Sequence, residues 1–408
     1  MILIENIHEV NLTGRARNNY VRKKKILQFL YHEDVLSATD IGNKIGVSLP
    51  TALTLLKELG GDRLVEPRGI GKSRGGRKPV LFGLKSDSIF VIAGELGRFS
   101  GKIGVYNSHN QLVAPVSVFN VSVDDDDLVE RIYTESKKLL SENGIGMDQI
   151  YGVGLAMPGL IDESEGINYT IKNPERRNIK QLLCRKFKCL IYVNNDARMQ
   201  AYGEFVFGEA VNYDNAMIIN WNWGLGLGMI LGGKLYNGAK GFAGELSHTK
   251  FAEDGDLCIC GKRGCLETVA SAYVILGKAK EAIKQGKISQ LTEQFKDREQ
   301  ELEVEDIIQA AKSGDEFSIA LLNEVGLALG KALSKTIQLL NPDIIVLGGV
   351  VSKANQYVLT PIQQAINQYC LEQISGNTKI AVSKNWEQSG MQGVMTMLFQ
   401  ELFSDMYM

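Results

Sequence analysis

The chain has 408 residues, 44% hydrophobic and 23% charged, with 43 Gly and 8 Pro, which predicts two to four domains with real cores and excludes a collagen-like or Pro-rich disordered chain. The net charge of −2 hides an asymmetry: residues 1–85 hold 15 Lys+Arg against 8 Asp+Glu, a net of +7, and the remainder carries −9, so only a small basic head is expected to meet a polyanion. Neither a long uninterrupted apolar run nor a secretory N-terminal pattern is present, so the expectation is a cytoplasmic protein with no membrane partner.

Asn18–Glu33 reads as a helix, with Val21, Ile26, Leu27, Phe29 and Leu30 on an apolar face and Arg22, Lys23, Lys24 and Lys25 on the other side. Met1–Arg17 has little pattern. Ser37 begins a capping pattern for a short helix with Ile41 and Ile45 inward. Gly46 permits a tight turn. Ser48 is placed to cap a third helix, with Pro50 in its first turn and Ala52, Leu53, Leu56 and Leu59 apolar. Three helices with a Gly turn match a helix-turn-helix whose third helix enters the major groove of duplex DNA. Ser48, Thr51 and Thr54 are its candidates for base edges; Lys57 and Lys24 are candidates for phosphate. Leu64–Glu66 and Pro79–Phe82 read as strands around a basic, glycine-punctuated loop. That loop is either a solvated hairpin tip or a wing, in which Arg74, Arg77 and Lys78 reach the DNA backbone or minor groove. Helices, wing and charge together favour DNA.

From about Ser88 the pattern changes. Ile89–Ala93, Lys102–Tyr106 and Gln111–Phe119 read as strands, followed by a helix over Asp127–Asn143. The Asp124–Asp127 run suits that helix's N-terminus better than a metal. Ile150–Ala156 and Leu190–Val193 are further strands, with Asn194-Asn195-Asp196 closing the second. The cycle then repeats: strands at Ala216–Asn220, Met229–Leu231, Asp343–Leu347 and Lys379–Ser383, and helices at Phe317–Leu340, Asn355–Cys370 and from Met391. Two similar α/β halves predict a two-lobed body over residues 86–408 with a cleft between its lobes.

Three of the six cysteines fall in Cys258-Ile-Cys-Gly-Lys-Arg-Gly-Cys265, and His248 is the only histidine after His109. Unrelated buried thiols are the ordinary alternative, but His248, Cys258, Cys260 and Cys265 form a complete donor set for structural Zn2+, over a loop spanning 248–265. Asp196 at a strand end could be a helix cap. With Asn195, and with Glu245 and Glu267 tethered near His248 by the zinc loop, it forms a set suited to the hydroxyls of a sugar. In an enzyme, Asp196 would be the general base.

Together these stretches resemble the ROK family (repressors, open reading frames and kinases): Gly241-Phe-Ala-Gly-Glu-Leu-Ser-His248, the cysteine run continued to Leu266-Glu267, Asn195-Asp196-Ala197 and Met157-Pro-Gly-Leu-Ile-Asp162. With Gly75-Gly-Arg-Lys-Pro79 closing the wing, the head is similar to that of the sugar-responsive repressor branch, xylose and N-acetylglucosamine repressors among them. The resemblance implies an actin-like, sugar-kinase-type body fused to a winged helix-turn-helix over residues 1–85. It also implies a homodimer or homotetramer, and sugar contacts at Gly159, Asn195, Asp196, Glu245, His248 and Glu267. The ligand is a sugar or sugar phosphate. Two departures bear on activity. The kinases' Asp-x-Gly-Gly-Thr phosphate loop reads Glu95-Leu-Gly-Arg-Phe99 here, and their Gly-Thr-Gly-x-Gly reads Gly224-Leu-Gly-Leu-Gly228. The expectation is therefore sugar sensing without ATP and Mg2+. The alternative is an active ATP-dependent sugar kinase with a DNA-binding head, with Leu347-Gly-Gly349 kept on the adenosine side.

Overall fold

A computed structural model describes residues 14–72 and 78–403. In the head, α1 (Gly14–Glu33) buries Tyr20, Ile26, Leu27 and Leu30. It starts before the apolar pattern does, because its exposed first turn needs propensity and not packing to stay helical. After β1 (Val35–Ser37), α2 (Ala38–Ile45) is capped as its sequence predicts, with Ser37 Oγ accepting from Asp40 N at 3.1 Å. Gly46 then takes the left-handed conformation, φ 68°, and turns the chain toward α3 (Leu49–Gly61). Ser48 stands at the cap position of α3 but makes no cap bond; its hydroxyl pairs with that of Thr51 at 2.9 Å. The packed face of α3 is Ala52, Leu55, Leu56 and Leu59, while Leu53, expected on that face, is exposed. A hairpin of β2 (Val65–Ile70) and β3 (Val80–Leu84) follows, and β1 adds to it in the order β1-β3-β2.

Packing divides the chain into two compact units, Met1–Asn194 with Val394–Met408, and Asn195–Gly393. Beyond the head, the first contains β4 (Phe90–Leu96), β5 (Ser100–Asn107), β6 (Ser117–Asn120), α4 (Leu128–Glu142), β7 (Ile150–Met157), the small hairpin β8 (Ile161–Asp162) and β9 (Ile167–Asn168), α5 (Ile179–Phe187) and β10 (Leu190–Asn195). Its sheet runs β10-β7-β4-β5-β6, with β4–β5 and β5–β6 antiparallel and β4–β7 parallel.

The second unit opens with α6 (Asp196–Phe207), β11 (Ala216–Trp221), β12 (Leu225–Leu231) and β13 (Lys234–Leu235). It continues with α7 (Glu267–Ala270), α8 (Ala272–Lys284), α9 (Gln290–Phe295), α10 (Val304–Lys312), α11 (Glu316–Leu340), β14 (Ile344–Gly348), α12 (Gln356–Tyr369), α13 (Glu372–Ser375) and β15 (Lys379–Val382). The last helix, α14 (Trp386–Phe403), starts in the second unit and ends in the first. The second sheet runs β13-β12-β11-β14-β15, with β11–β12 and β12–β13 antiparallel and β11–β14 parallel. Numbered within each half, both sheets have the order 3-2-1-4-5, so the repeat legible in the sequence is a repeat of topology. Among the described residues one helix, α11, is long and apolar enough to cross a membrane; 61% of its apolar window is buried in the second unit. It packs on α12 in that unit's core.

Polar contacts fasten the head within the first unit. Tyr31 donates its hydroxyl to Asn110 Oδ1 at 2.7 Å, Ser108 donates its hydroxyl to Lys85 O at 3.3 Å, and Arg68 Nη2, which also holds Leu84 O inside the head at 2.9 Å, meets His109 Nε2 at 3.0 Å. The Tyr31 ring also packs on Phe399 and Phe403 of α14, with centroids 5.2 and 5.7 Å away.

Candidate functional site

The cysteine loop folds back on itself through bridges between Lys250 and Cys265 and between Leu257 and Arg263. Gly264 has φ 74°, and a Cβ there would lie 1.9 Å from Ala252 O, so only glycine closes this fold-back. The result brings one donor atom from each of His248, Cys258, Cys260 and Cys265 within 4.8 Å of all the others. Cys258 Sγ is 3.5 Å from His248 Nδ1, and Cys260 Sγ is 3.6 Å from Cys265 Sγ. Ligand atoms about 2.0–2.3 Å from a tetrahedral Zn2+ stand at such separations, and three sulfurs with one imidazole are a zinc donor set. Burial pushes the Cys258 thiol up to about 12, a cost that a bound dication would reverse.

The carboxylates gather around the same imidazole. Nδ1 of His248 faces the sulfur side and lies 3.9 Å from Glu267 Oε2; its Nε2 faces away, 4.0 Å from Glu245 Oε2. One histidine can thus serve both predicted roles, a metal ligand through Nδ1 and a hydrogen-bond partner through Nε2. Partial burial raises the Glu245 carboxyl above its ordinary range, opposed by His248 and Arg198 and reinforced by Glu267. Burial, with Glu267 next in weight, pushes the Tyr273 phenol up to about 12.

Asp196 opens α6, but the cap is its neighbour: Asn195 Oδ1 accepts from Arg198 N at 3.2 Å. Asp196 Oδ1 accepts from Ala197 N at 2.9 Å, and its Oδ2 accepts from Asn220 Nδ2 at 3.3 Å. Asn222 continues this chain, donating to Asn220 Oδ1 at 2.7 Å and accepting from Val350 N at 2.8 Å. Sequence reading missed Asn220 and Asn222, although a polar residue closing the apolar run Ala216–Ile219 was the available signal. It also missed Arg198, 1% exposed and electrostatically linked to Glu245.

Gly159 belongs to the first unit. It has φ 122°, and a Cβ there would lie 2.5 Å from Asn168 Oδ1, whose amide holds Pro158 O at 3.0 Å. The expected first phosphate loop is the β4–β5 turn, closed by Gly97 N donating to Ser100 O at 2.7 Å. Glu95, only 12% exposed, faces Lys102 across the hairpin, Oε2 to Nζ 3.0 Å, and Arg98 lies over the Phe99 ring. In the second expected loop, a Cβ on Gly224 would lie 2.8 Å from Glu267 Oε1, one on Gly226 2.6 Å from Ala197 Cβ, and one on Gly228 2.3 Å from Ala201 Cβ.

Among the expected DNA contacts, Ser48, Thr54, Lys57 and Lys78 are exposed and Thr51 is half-buried. The Thr54 hydroxyl donates to Pro50 O at 2.9 Å. Lys24 lies over the Tyr20 ring at 5.5 Å. Arg74 and Arg77 lie outside the described residues.

The chain is 28% identical to the xylose repressor of Caldicellulosiruptor bescii over 389 residues, covering 94% of this chain and 96% of that one. It is 34% identical over 259 residues to a glucokinase of Halalkalibacterium halodurans, covering 63% of this chain and 78% of the enzyme. Its fold matches the crystal structure of a ROK family transcriptional regulator, a homolog of the E. coli MLC protein, with TM-score 0.78 and 24% identity, covering 95% and 97% of the two chains. The sequence model of the ROK family matches residues 94–401, and the chain belongs to that family.

Proposed function

We propose that this chain is a sugar-responsive, DNA-binding transcriptional repressor, cytoplasmic and homo-oligomeric. On this reading, residues 1–85 are a winged helix-turn-helix and residues 86–408 an actin-like body that senses sugar without transferring phosphate. The observation that carries the reading is the head itself: α2, a left-handed Gly46 and α3 with its outer face exposed, followed by a basic hairpin, on a segment of net charge +7. The repressor likeness spans this head as well as the body.

The proposed effector site in the second unit is Asn195, Asp196, Glu245, His248 Nε2 and Glu267, carboxylates, an amide and a ring nitrogen that suit vicinal hydroxyls. Zinc, held by His248 Nδ1 and the three sulfurs, is structural: it cross-links the loop and fixes the imidazole. The signal path runs through helices. Asn195 and Asp196 open α6, and α6 packs backbone to backbone on the start of α14. A Cβ at Gly203 would lie 1.9 Å from Ser389 O, and one at Gly393 1.9 Å from Met199 O. The end of α14 meets Tyr31 of the head. A displacement of α6 on sugar binding is passed along α14 to α1, and half-sites read at fixed spacing are then lost.

The kinase reading is favoured by the glucokinase likeness. Against it, Lys102 neutralises the carboxylate at the position where the family's kinases have their phosphate-loop Asp. Gly226 and Gly228 are accounted for by packing on α6, and Gly349 by the Trp221 backbone, whose oxygen a Cβ would meet at 2.3 Å.

The test has two parts, on zinc-loaded full-length protein. ADP release from Mg-ATP is measured with a panel of hexoses, pentoses and amino sugars; none is expected, and release with one sugar would make the chain a kinase. Anisotropy of duplexes enriched from a random library should show sequence preference at physiological salt and a shift with one sugar of the panel. Absence of any preference would refute the repressor reading.

A further inference from the structure

The outer face of α3 is unusually apolar. Leu49 and Leu53 stand one turn apart, each 46% exposed, and the exposed Lys57 continues the same ridge one turn later. Neither leucine is needed by the core, which is filled by Ala52, Leu55, Leu56 and Leu59. A single exposed leucine is unremarkable. Here the polar side chains beside the pair are partly engaged: the Thr54 hydroxyl donates to Pro50 O, one of the Ser48 and Thr51 hydroxyls donates to the other, and Pro50, also exposed, has no N–H to offer. Leu49 and Leu53 are the exposed large apolar side chains of the helix expected to meet base edges.

A side chain with no donor or acceptor can distinguish base pairs in the major groove by one feature, the C5-methyl of thymine. We propose that Leu49 and Leu53 read thymine methyls, so that each operator half-site carries a thymine opposite each of them. The proposal rests on the reading of the head as a DNA-binding domain. Charge selects DNA as the occupant: a second copy of the chain would bring another head of net charge +7 to a ridge ending in Lys57, whereas a duplex brings phosphates on either side of a groove whose floor displays thymine methyls.

The test uses full-length, zinc-loaded protein and a duplex enriched from a random-core library. The duplex is resynthesised with deoxyuridine for thymidine, one position at a time, which removes only the methyl. Two positions per half-site are expected at which this substitution weakens wild-type binding about fourfold, the weight of one buried methyl group. At one of them Leu53→Ala abolishes the difference between the two bases, at the other Leu49→Ala does, and the salt dependence of binding stays that of wild type because no phosphate contact is lost.

Insensitivity of the enriched duplex to every deoxyuridine overturns the proposal while leaving the head as a DNA-binding domain. An equal loss by Leu53→Ala on both bases does the same. A change of oligomeric state in the leucine variants, with no methyl effect, assigns the ridge to a second copy instead. Failure to enrich any sequence removes the reading of the head and this inference with it.

Discussion

Replacing Tyr31 tests how the head is held. Tyr31→Ala removes a 2.7 Å hydrogen bond to Asn110 and two ring contacts, with Phe399 at 5.2 Å and Phe403 at 5.7 Å. A neutral hydrogen bond contributes about 1 kcal/mol and each aromatic pair about 0.5–1.5 kcal/mol, so the docked state loses roughly 2–4 kcal/mol. Tyr31→Phe keeps both ring contacts and loses about 1 kcal/mol. Amide hydrogen exchange resolves this by element. In Tyr31→Ala, protection of the α1 amides should fall by roughly 30- to 700-fold. The amides of β14, in the core of the second unit, should keep theirs. Tyr31→Phe should fall between wild type and Tyr31→Ala. The same variant probes the signal path: Tyr31→Ala should still bind duplex DNA but lose most of the sugar-dependent shift. If α1 stays fully protected in Tyr31→Ala, or if β14 loses protection equally, the docking argument is wrong. An undiminished sugar response would leave α14 without a role in transmission.

Three further outcomes follow from the same geometry. One zinc per chain is expected by elemental analysis, and Cys258→Ser or a strong chelator should lower the melting temperature and weaken sugar binding together; metal-free protein that melts and binds like wild type would remove the structural role. His109 has its pKa lowered by burial first and by the Arg68 guanidinium second, with Asp34 and Glu66 opposing. A histidine with a depressed folded pKa contributes its full stability above about pH 6.5 and loses it as pH falls from there through the folded value, so α1 protection should decline in that window in wild type and stay flat in His109→Gln. Lys57→Ala and Lys78→Ala should each weaken binding to all duplexes alike and reduce the slope of log K against log salt by about 1, and an unchanged slope would take that lysine off the phosphate backbone.

What the sequence disclosed depended on how local each signal is. The strands β4, β7, β11 and β14 are buried apolar runs, legible one at a time along with the repeat they form, whereas the order in which they pair is set by tertiary contacts. The gathering of His248, Cys258, Cys260 and Cys265 was legible because these residues lie close in the chain and the glycines mark the fold-back. Leu53 was misplaced because helical spacing admits two apolar faces on α3, one through Leu53 and one through Leu55; which is buried depends on where α1 and α2 stand. Asn220 and Asn222 escaped notice because their partners, Asp196 and Val350, are remote in sequence.

The glycines of Gly224–Gly228 show a different limit. A glycine is demanded wherever a Cβ has no room, and sequence cannot say whether a phosphate or another part of the protein takes the space. Here Gly226 and Gly228 lie against Ala197 and Ala201 of α6, and Gly224 against Glu267. Gly226 and Gly228 are needed whether or not a nucleotide binds, so their presence is no argument for phosphoryl transfer. The informative residue is Lys102. Its register opposite Glu95 is fixed by the β4–β5 hairpin, and its ammonium supplies a fixed positive charge beside a carboxylate that, in a kinase, would be left to a magnesium ion.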